Sequence, residues 1–179
     1  MAQLNLSELH ARAAQIKLLI CDVDGVLSDG KVYFTNQGDE LKNFNIKDGL
    51  GIKLLQKSGI KVAIITGRQS NIVEQRAKEL GIDILYQGRS DKRAAFNEIL
   101  TQENLTNEQV AHMGDDLPDL PLMKISGLGL CVSDAHEFVQ QHADWIAQSA
   151  GGSGAVREAA DMILRAQNKL DALLASYLQ

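Results

Sequence analysis

Short apolar runs rich in Val, Ile and Leu recur along the chain, separated by stretches in which apolar residues return every three or four positions. The runs Ile16–Cys21, Lys61–Thr66, Ile82–Tyr86, Val110–Gly114, Leu128–Val132 and Trp145–Ala147 predict strands. Between them, amphipathic spacing predicts helices near Gly51–Lys57, Ser70–Leu80, Lys92–Gln102, Leu117–Lys124 and Ala135–Gln141. Parallel strands need a crossover, usually a helix, so this alternation predicts an α/β, doubly wound domain with a mainly parallel sheet. Ligands of such sheets gather beyond the carboxyl ends of the strands, and function is expected there.

Two segments depart from the alternation. Residues 31–46 switch between polar and apolar around Asn36-Gln37-Gly38-Asp39, which predicts a hairpin flap. A lone two-stranded hairpin is marginal in water, so its apolar residues need a surface to cover, in its own domain or in a neighbouring subunit. At the far end, Gly151-Gly152-Ser153-Gly154 precedes a helix predicted over 155–177, with Val156, Ala160, Ile163, Leu170, Leu174 and Tyr177 on one stripe and Gln167 as the polar exception. Residues 151–179 thus read as a glycine-hinged C-terminal helix.

The length, 179 residues with 45% hydrophobic, fits a single domain with a sizeable core. With 18 Lys and Arg against 23 Asp and Glu, the net charge of −5 offers no field for a polyanion, and nucleic acid is not an expected partner. No apolar run approaches a membrane span, and residues 1–10 lack a basic region followed by an apolar one, so a cytoplasmic protein is expected. Cys21 and Cys131 each lie inside an apolar run, which predicts buried reduced thiols.

Chemistry enters where the strands end. Asp22-Val23-Asp24-Gly25 follows the first strand, Thr66-Gly67-Arg68 the second, and Gly114-Asp115-Asp116-Leu117-Pro118-Asp119 the fourth. On a parallel sheet these exits share one edge, so Asp22, Asp24, Thr66 and Asp115 can meet. Several carboxylates in one pocket raise one another's pKa unless a cation compensates. The loops offer only oxygen ligands, which favours Mg2+ over zinc, and magnesium sites commonly include a substrate phosphate. Phosphoryl transfer needs an in-line nucleophile, an acid for the leaving oxygen and donors on the phosphate oxygens. Asp22 can supply the first and Asp24 the second, while the Thr66 hydroxyl, the Gly67 amide and Lys92, which opens a helix at another strand exit, can supply the third. Arg68, Arg76, Arg89 and Lys47 are candidates for further anionic groups of a substrate.

These residues, in this order and over most of the chain, resemble the four motifs of the haloacid dehalogenase superfamily of phosphatases, with its Rossmann-like fold. The resemblance implies Asp22 as nucleophile and metal ligand, and Asp24 as acid and base that also binds metal through its carbonyl. It further implies Asp115 as the third metal ligand and Asp116 as a residue orienting the metal's water shell, and leaves Asp119 without a firm role. More narrowly, the segments Asp22–Asp29, Asn45–Gly49, Thr66–Arg68 and Gly151–Glu158 resemble the small subfamily of 3-deoxy-D-manno-octulosonate 8-phosphate phosphatases of lipopolysaccharide synthesis. Ser153 departs from that pattern, where relatives often carry a basic residue. The likeness implies a phosphorylated sugar acid as substrate, an aspartyl-phosphate intermediate, and a homotetramer in which neighbouring hairpins and tails close each site. Spacing bears on the last point independently: between Gly25 and Thr66, and between Lys92 and Asp115, there is no room for a cap domain. Either the substrate is a macromolecule or a second subunit supplies the lid that excludes water, and the second is expected. The alternatives are a nonulosonate 9-phosphate phosphatase and a receiver-like phospho-Asp signalling module.

Overall fold

The computed structural model describes residues 4–178. Strand β1 (Leu18–Cys21) is followed by the hairpin strands β2 (Tyr33–Phe34) and β3 (Glu40–Leu41), then by β4 (Lys61–Ile65), β5 (Ile84–Tyr86), β6 (Val110–Gly114), β7 (Leu128–Cys131) and β8 (Trp145–Ile146). The helices are α1 (Leu6–Ala13), α2 (Ile46–Lys57), α3 (Asn71–Leu80), α4 (Lys92–Glu103), α5 (Leu120–Ile125), α6 (Glu137–Gln140), α7 (Ala155–Ala166) and α8 (Leu170–Ala175). Six strands form one parallel sheet in the order β5-β4-β1-β6-β7-β8. All six predicted sheet strands are present, most of them trimmed by a residue or two. Helix α1, by contrast, falls in a stretch with no such expectation.

Strand β1 is apolar throughout because it is covered on both faces. Its alternate residues enter different cores: Leu18 and Ile20 pack with Phe96 and Ile99 of α4, whereas Leu19 and Cys21 join Ile52 and Leu55 of α2 and Ile163 of α7. Both cysteines are free and buried. Among the described residues no helix is long and apolar enough to cross a membrane.

Two expected elements differ. The hairpin pairs only Tyr33 with Leu41 and Phe34 with Glu40, and the predicted second strand gives way at Ile46 to α2. Asn45 decides that boundary, since its side-chain oxygen accepts from the Lys47 amide at 2.8 Å, an N-cap that starts a helix. The C-terminal segment is two helices, because Asn168 adopts φ 56° and breaks the register after α7. Gln167 is the cause of the apparent polar exception: its amide donates to Ile16 O at 2.8 Å and Ala13 O at 3.4 Å, docking the end of α7 beside the start of β1. Val156, Ala160, Ile163 and Leu170 are buried, but Leu174 and Tyr177 are exposed, so the predicted stripe crosses the break by one residue and ends at Leu170. Residues 1–3 and 179 lie outside the described residues.

The glycines before α7 serve close approach. A Cβ on Gly151 would lie 1.8 Å from Gly25 O, and one on Gly152 would lie 2.6 Å from the Ser28 carbonyl carbon. Asp48 of α2 completes the junction, its carboxylate accepting from the amides of Arg157 at 2.8 Å and Gly154 at 3.2 Å. The start of α7 is thereby tied to the loop that leaves β1.

Candidate active site

Asp22 continues β1 by one hydrogen bond, its amide donating to Met113 O at 3.0 Å. The chain then makes a wide turn over Val23–Leu27, closed by the Ser28 amide on Val23 O at 2.9 Å. Gly25 has φ 91°, and a Cβ there would lie 2.1 Å from Asp115 Oδ2. Only glycine lets the turn and the end of β6 come this close. Gly114, at the end of the adjacent strand β6, is needed for the same reason, since a Cβ there would lie 2.2 Å from that of Asp119.

The strand exits meet as the sequence predicts. Asp22, Asp24, Thr66, Gly67, Arg68, Lys92, Asp115 and Asp116 all line one cleft of about 320 Å³, with Gly30, Pro118 and Asp119. Asp22, Asp115 and Asp119 present carboxylate oxygens within 4.8 Å of one another. Lys92, buried at the first position of α4, sets its Nζ 2.7 Å from Asp119 Oδ1 and 3.2 Å from Asp22 Oδ1. Asp91 is the N-cap that starts this helix, its carboxylate accepting from the amides of Arg93 and Ala94, both at 3.1 Å.

Asp119 is fully engaged. Its Oδ1 also meets His112 Nε2 at 3.2 Å, and its Oδ2 accepts from the amides of Asp115 at 3.1 Å and Asp116 at 3.4 Å. Burial alone would raise its pKa, but the His112 hydrogen bond and the Lys92 ammonium outweigh that and hold it well below the usual carboxylate range. Burial pushes His112 down, and since a carboxylate oxygen can only accept, the contact with Asp119 has Nε2 as the donor. Lys92 is raised, the charges of Asp119 and Asp22 outweighing its burial.

The other two carboxylates are strained electrically. Burial and then the charge of Asp119 lift Asp22 to about 6, against the pull of Lys92. Burial, Asp119 and Asp22 lift Asp115 to about 7. Asp22 Oδ1 is buried without a hydrogen bond of good geometry, despite the nearby ammonium. Such a pair of raised carboxylates with an unspent oxygen fits a hard divalent cation, which would relieve the repulsion. Asp119, its oxygens already taken, fits the role of organiser better than that of ligand. The exposed Asp116 caps the next turn, its Oδ1 accepting from the Leu117 amide at 2.8 Å.

The remaining basic candidates separate. Arg68 lines the cleft and pairs with Glu40 Oε1 at 2.7 Å. Arg76 packs under α2, 2.8 Å from Glu79, with its guanidinium 5.7 Å from the Phe44 ring centre. Arg89 pairs with Glu98 at 3.2 Å and covers Tyr86. Lys47 is exposed on the first turn of α2. None of Arg76, Arg89 and Lys47 lines the cleft of this chain.

Three residues without a sequence assignment stand beside the site. Lys42, whose side chain is only 1% exposed, contacts Asp24 Oδ1 and lies 3.3 Å from Glu40. Glu40 in turn holds Arg68, and His112 holds Asp119. Lys42 and Glu40 are alternate polar positions of a hairpin and read as its solvated face; no local signal distinguishes them.

Comparison with known proteins finds phosphatases similar to this chain. A profile of the haloacid dehalogenase-like hydrolases matches residues 84–159. The 3-deoxy-D-manno-octulosonate 8-phosphate phosphatase KdsC of Yersinia pestis is 54% identical over 160 residues, covering 89% of this chain and 86% of its own. The structure of the corresponding phosphatase from Moraxella catarrhalis, in complex with a magnesium ion, a phosphate ion and KDO, is 43% identical with a TM-score of 0.95, covering 97% of this chain and 99% of that one. The cobalt-bound enzyme of Haemophilus influenzae is 39% identical with a TM-score of 0.89, covering 94% and 99%.

Proposed function

The chain belongs to the haloacid dehalogenase-like hydrolases, within the family of 3-deoxy-D-manno-octulosonate 8-phosphate phosphatases, and from that premise we propose how its residues divide the work. It is a magnesium-dependent phosphomonoesterase that hydrolyses 3-deoxy-D-manno-octulosonate 8-phosphate to the free sugar acid and phosphate, a step of lipopolysaccharide synthesis in the cytoplasm. The observation that carries the reading is the buried Asp22 carboxylate at the exit of the central strand, 3.2 Å from Lys92 and grouped with Asp115.

Asp22 attacks phosphorus, forming an Asp22–phosphorus bond as the bond to the sugar oxygen breaks, and Asp24 gives its proton to that departing oxygen. Asp24 then takes a proton from the water that attacks the aspartyl phosphate, which releases phosphate and restores Asp22. Lys92, the Thr66 hydroxyl and the Gly67 amide steady the phosphate oxygens. Asp22, Asp115 and the Asp24 carbonyl would hold magnesium, with Asp116 beside them. When bound, the ion neutralises the carboxylates and draws charge from the transferring phosphate. Arg68 meets the sugar-acid end of the substrate.

The hairpin and the C-terminal segment serve a homotetramer in this reading, each closing a neighbour's cleft. Its support is the exposure of Val32, Phe34, Leu41 and Ile46 on and beside the hairpin, an apolar surface that needs a partner. Light scattering on the protein and on Phe34→Asp tests it: a shift from tetramer to smaller species with loss of turnover is expected, and a monomeric, fully active wild type would overturn it. The activity itself is tested by phosphate release from a panel of sugar phosphates with and without magnesium. Magnesium-dependent release, fastest on the octulosonate 8-phosphate, is expected; faster turnover of a nonulosonate 9-phosphate would reassign the substrate.

A further inference from the structure

Four charged side chains close a ring around the rim of the cleft. Lys42 contacts Asp24 Oδ1 and stands 3.3 Å from Glu40 Oε1. Glu40 Oε1 is 2.7 Å from Arg68 Nη2, and Arg68 Nε returns to Asp24 Oδ2 at 4.0 Å. Signs alternate around the ring, and it joins three separate pieces of chain: the turn after β1, the hairpin strand β3 with its exit, and the loop after β4. Lys42 is its most enclosed member, 1% exposed against 23% for Asp24, 20% for Glu40 and 44% for Arg68.

An exposed lysine pairs loosely and loses little by moving. A buried ammonium must keep its partners, because leaving it unpaired in the interior is costly. Lys42 is therefore fixed, and so is the oxygen it touches. Its contact is with one oxygen of Asp24 only. Among the described residues, the other, Oδ2, faces no closer cation than Arg68 at 4.0 Å.

We infer that Lys42 is a positioning residue for Asp24: by holding Oδ1 it leaves Oδ2 as the oxygen that passes the proton to the departing group. This rests on the phosphatase reading of the site. The proton moves from Asp24 Oδ2 to the leaving oxygen while the bond from phosphorus to that oxygen breaks and the bond from phosphorus to an Asp22 carboxylate oxygen forms. Glu40 is the hairpin's anchor for this lysine, so the hairpin is coupled to proton transfer as well as to covering the cleft.

A leaving-group series separates this role from a merely structural one. The kcat/KM of wild type and Lys42→Met is measured over aryl phosphates whose leaving phenols span a wide range of acidity, with magnesium saturating. Poor leaving groups need the proton and good ones do not, so the variant is expected to lose about 10- to 100-fold on phenyl phosphate and about 2-fold or less on 2,4-dinitrophenyl phosphate. Lys42→Arg restores the shallow dependence. Glu40→Gln, which keeps the lysine but loosens its anchor, shifts the dependence in the same direction and serves if Lys42→Met does not fold. An equal loss across the series in whichever of these variants folds would overturn the role. A wild type that releases no phosphate from any substrate would instead overturn the phosphatase reading itself.

Discussion

Lys92 and Asp119 form a buried ion pair, Nζ to Oδ1 2.7 Å, and the same ammonium stands 3.2 Å from Asp22 Oδ1. Asp119 thus fixes the cation that faces the nucleophile, and it does so with every other donor around it already bound. Breaking one side of such a pair leaves the other charge buried alone, at about 3–5 kcal/mol. Asp119→Ala is expected to lose stability of that order in urea melts, and kcat should fall at least tenfold in whatever folds, roughly 1.4 kcal/mol of transition-state stabilisation. An unchanged kcat would remove Asp119 from the placement of Lys92.

His112 reaches the site through Asp119, with its Nε2 at 3.2 Å and its Nδ1 buried without a partner among the described residues. His112→Gln keeps a donor near Nε2, whereas His112→Leu removes it and leaves Asp119 a donor short. The glutamine variant should keep kcat within about threefold and the leucine variant should lose about tenfold, a single hydrogen bond to a charged group being worth roughly 1.5–3 kcal/mol. Steady-state kinetics with comparable KM values in both variants is the check. Equal losses would make the ring's volume, not its hydrogen bond, the relevant property.

How much of the molecule is legible in the chain depends on whether the determinant is local. The six sheet strands are each announced by their own apolar run, and Asp22, Thr66, Lys92 and Asp115 follow from where those runs stop. Alternation alone places Ile46 in a strand, because a hairpin's end and a helix start share the same few residues; the Asn45 cap settles it. The break at Asn168 depends on one backbone angle that no periodicity encodes. Lys42, Glu40 and His112 gain their importance from partners 18, 28 and 7 positions away, contacts that only the assembled sheet creates. Arg76 and Arg89 pair with Glu79 and Glu98 away from the cleft of their own chain, an arrangement set by the packed helices and not by any local pattern.

The raised carboxylates set the direction of pH effects. Asp22 is lifted to about 6 and Asp115 to about 7 from an ordinary value near 3.8. A raised acid binds its proton more tightly in the folded state, so its contribution to stability is full below about pH 4 and is lost as pH climbs through 6 and 7. In a chelator, Asp115→Asn should therefore gain on wild type in melting temperature between pH 5 and pH 8. Magnesium must displace the same protons, so its affinity for wild type should tighten over that interval, measurable by calorimetry. A constant gap between the two proteins would refute the assignment of the strain to Asp115.

Gly151 lies 126 residues after Gly25, yet a Cβ on it would sit 1.8 Å from the Gly25 carbonyl oxygen, with Gly25 itself pressed against Asp115. Backbone cannot swing aside as a side chain can, so a methyl at 151 must push the turn that carries Asp24. Gly151→Ala is expected to weaken magnesium binding about tenfold and to lower kcat, although the residue touches neither metal nor substrate; overpacking of this kind costs about 1–3 kcal/mol. Gly59, whose added Cβ would meet nothing within 4 Å but whose φ is 81°, supplies the control. Its alanine variant bears the backbone strain alone, about 1–2 kcal/mol, and should melt lower with magnesium affinity intact. Calorimetric titration of both variants separates the two effects, because only contact with the turn after β1 can carry a change at position 151 to the metal ligands.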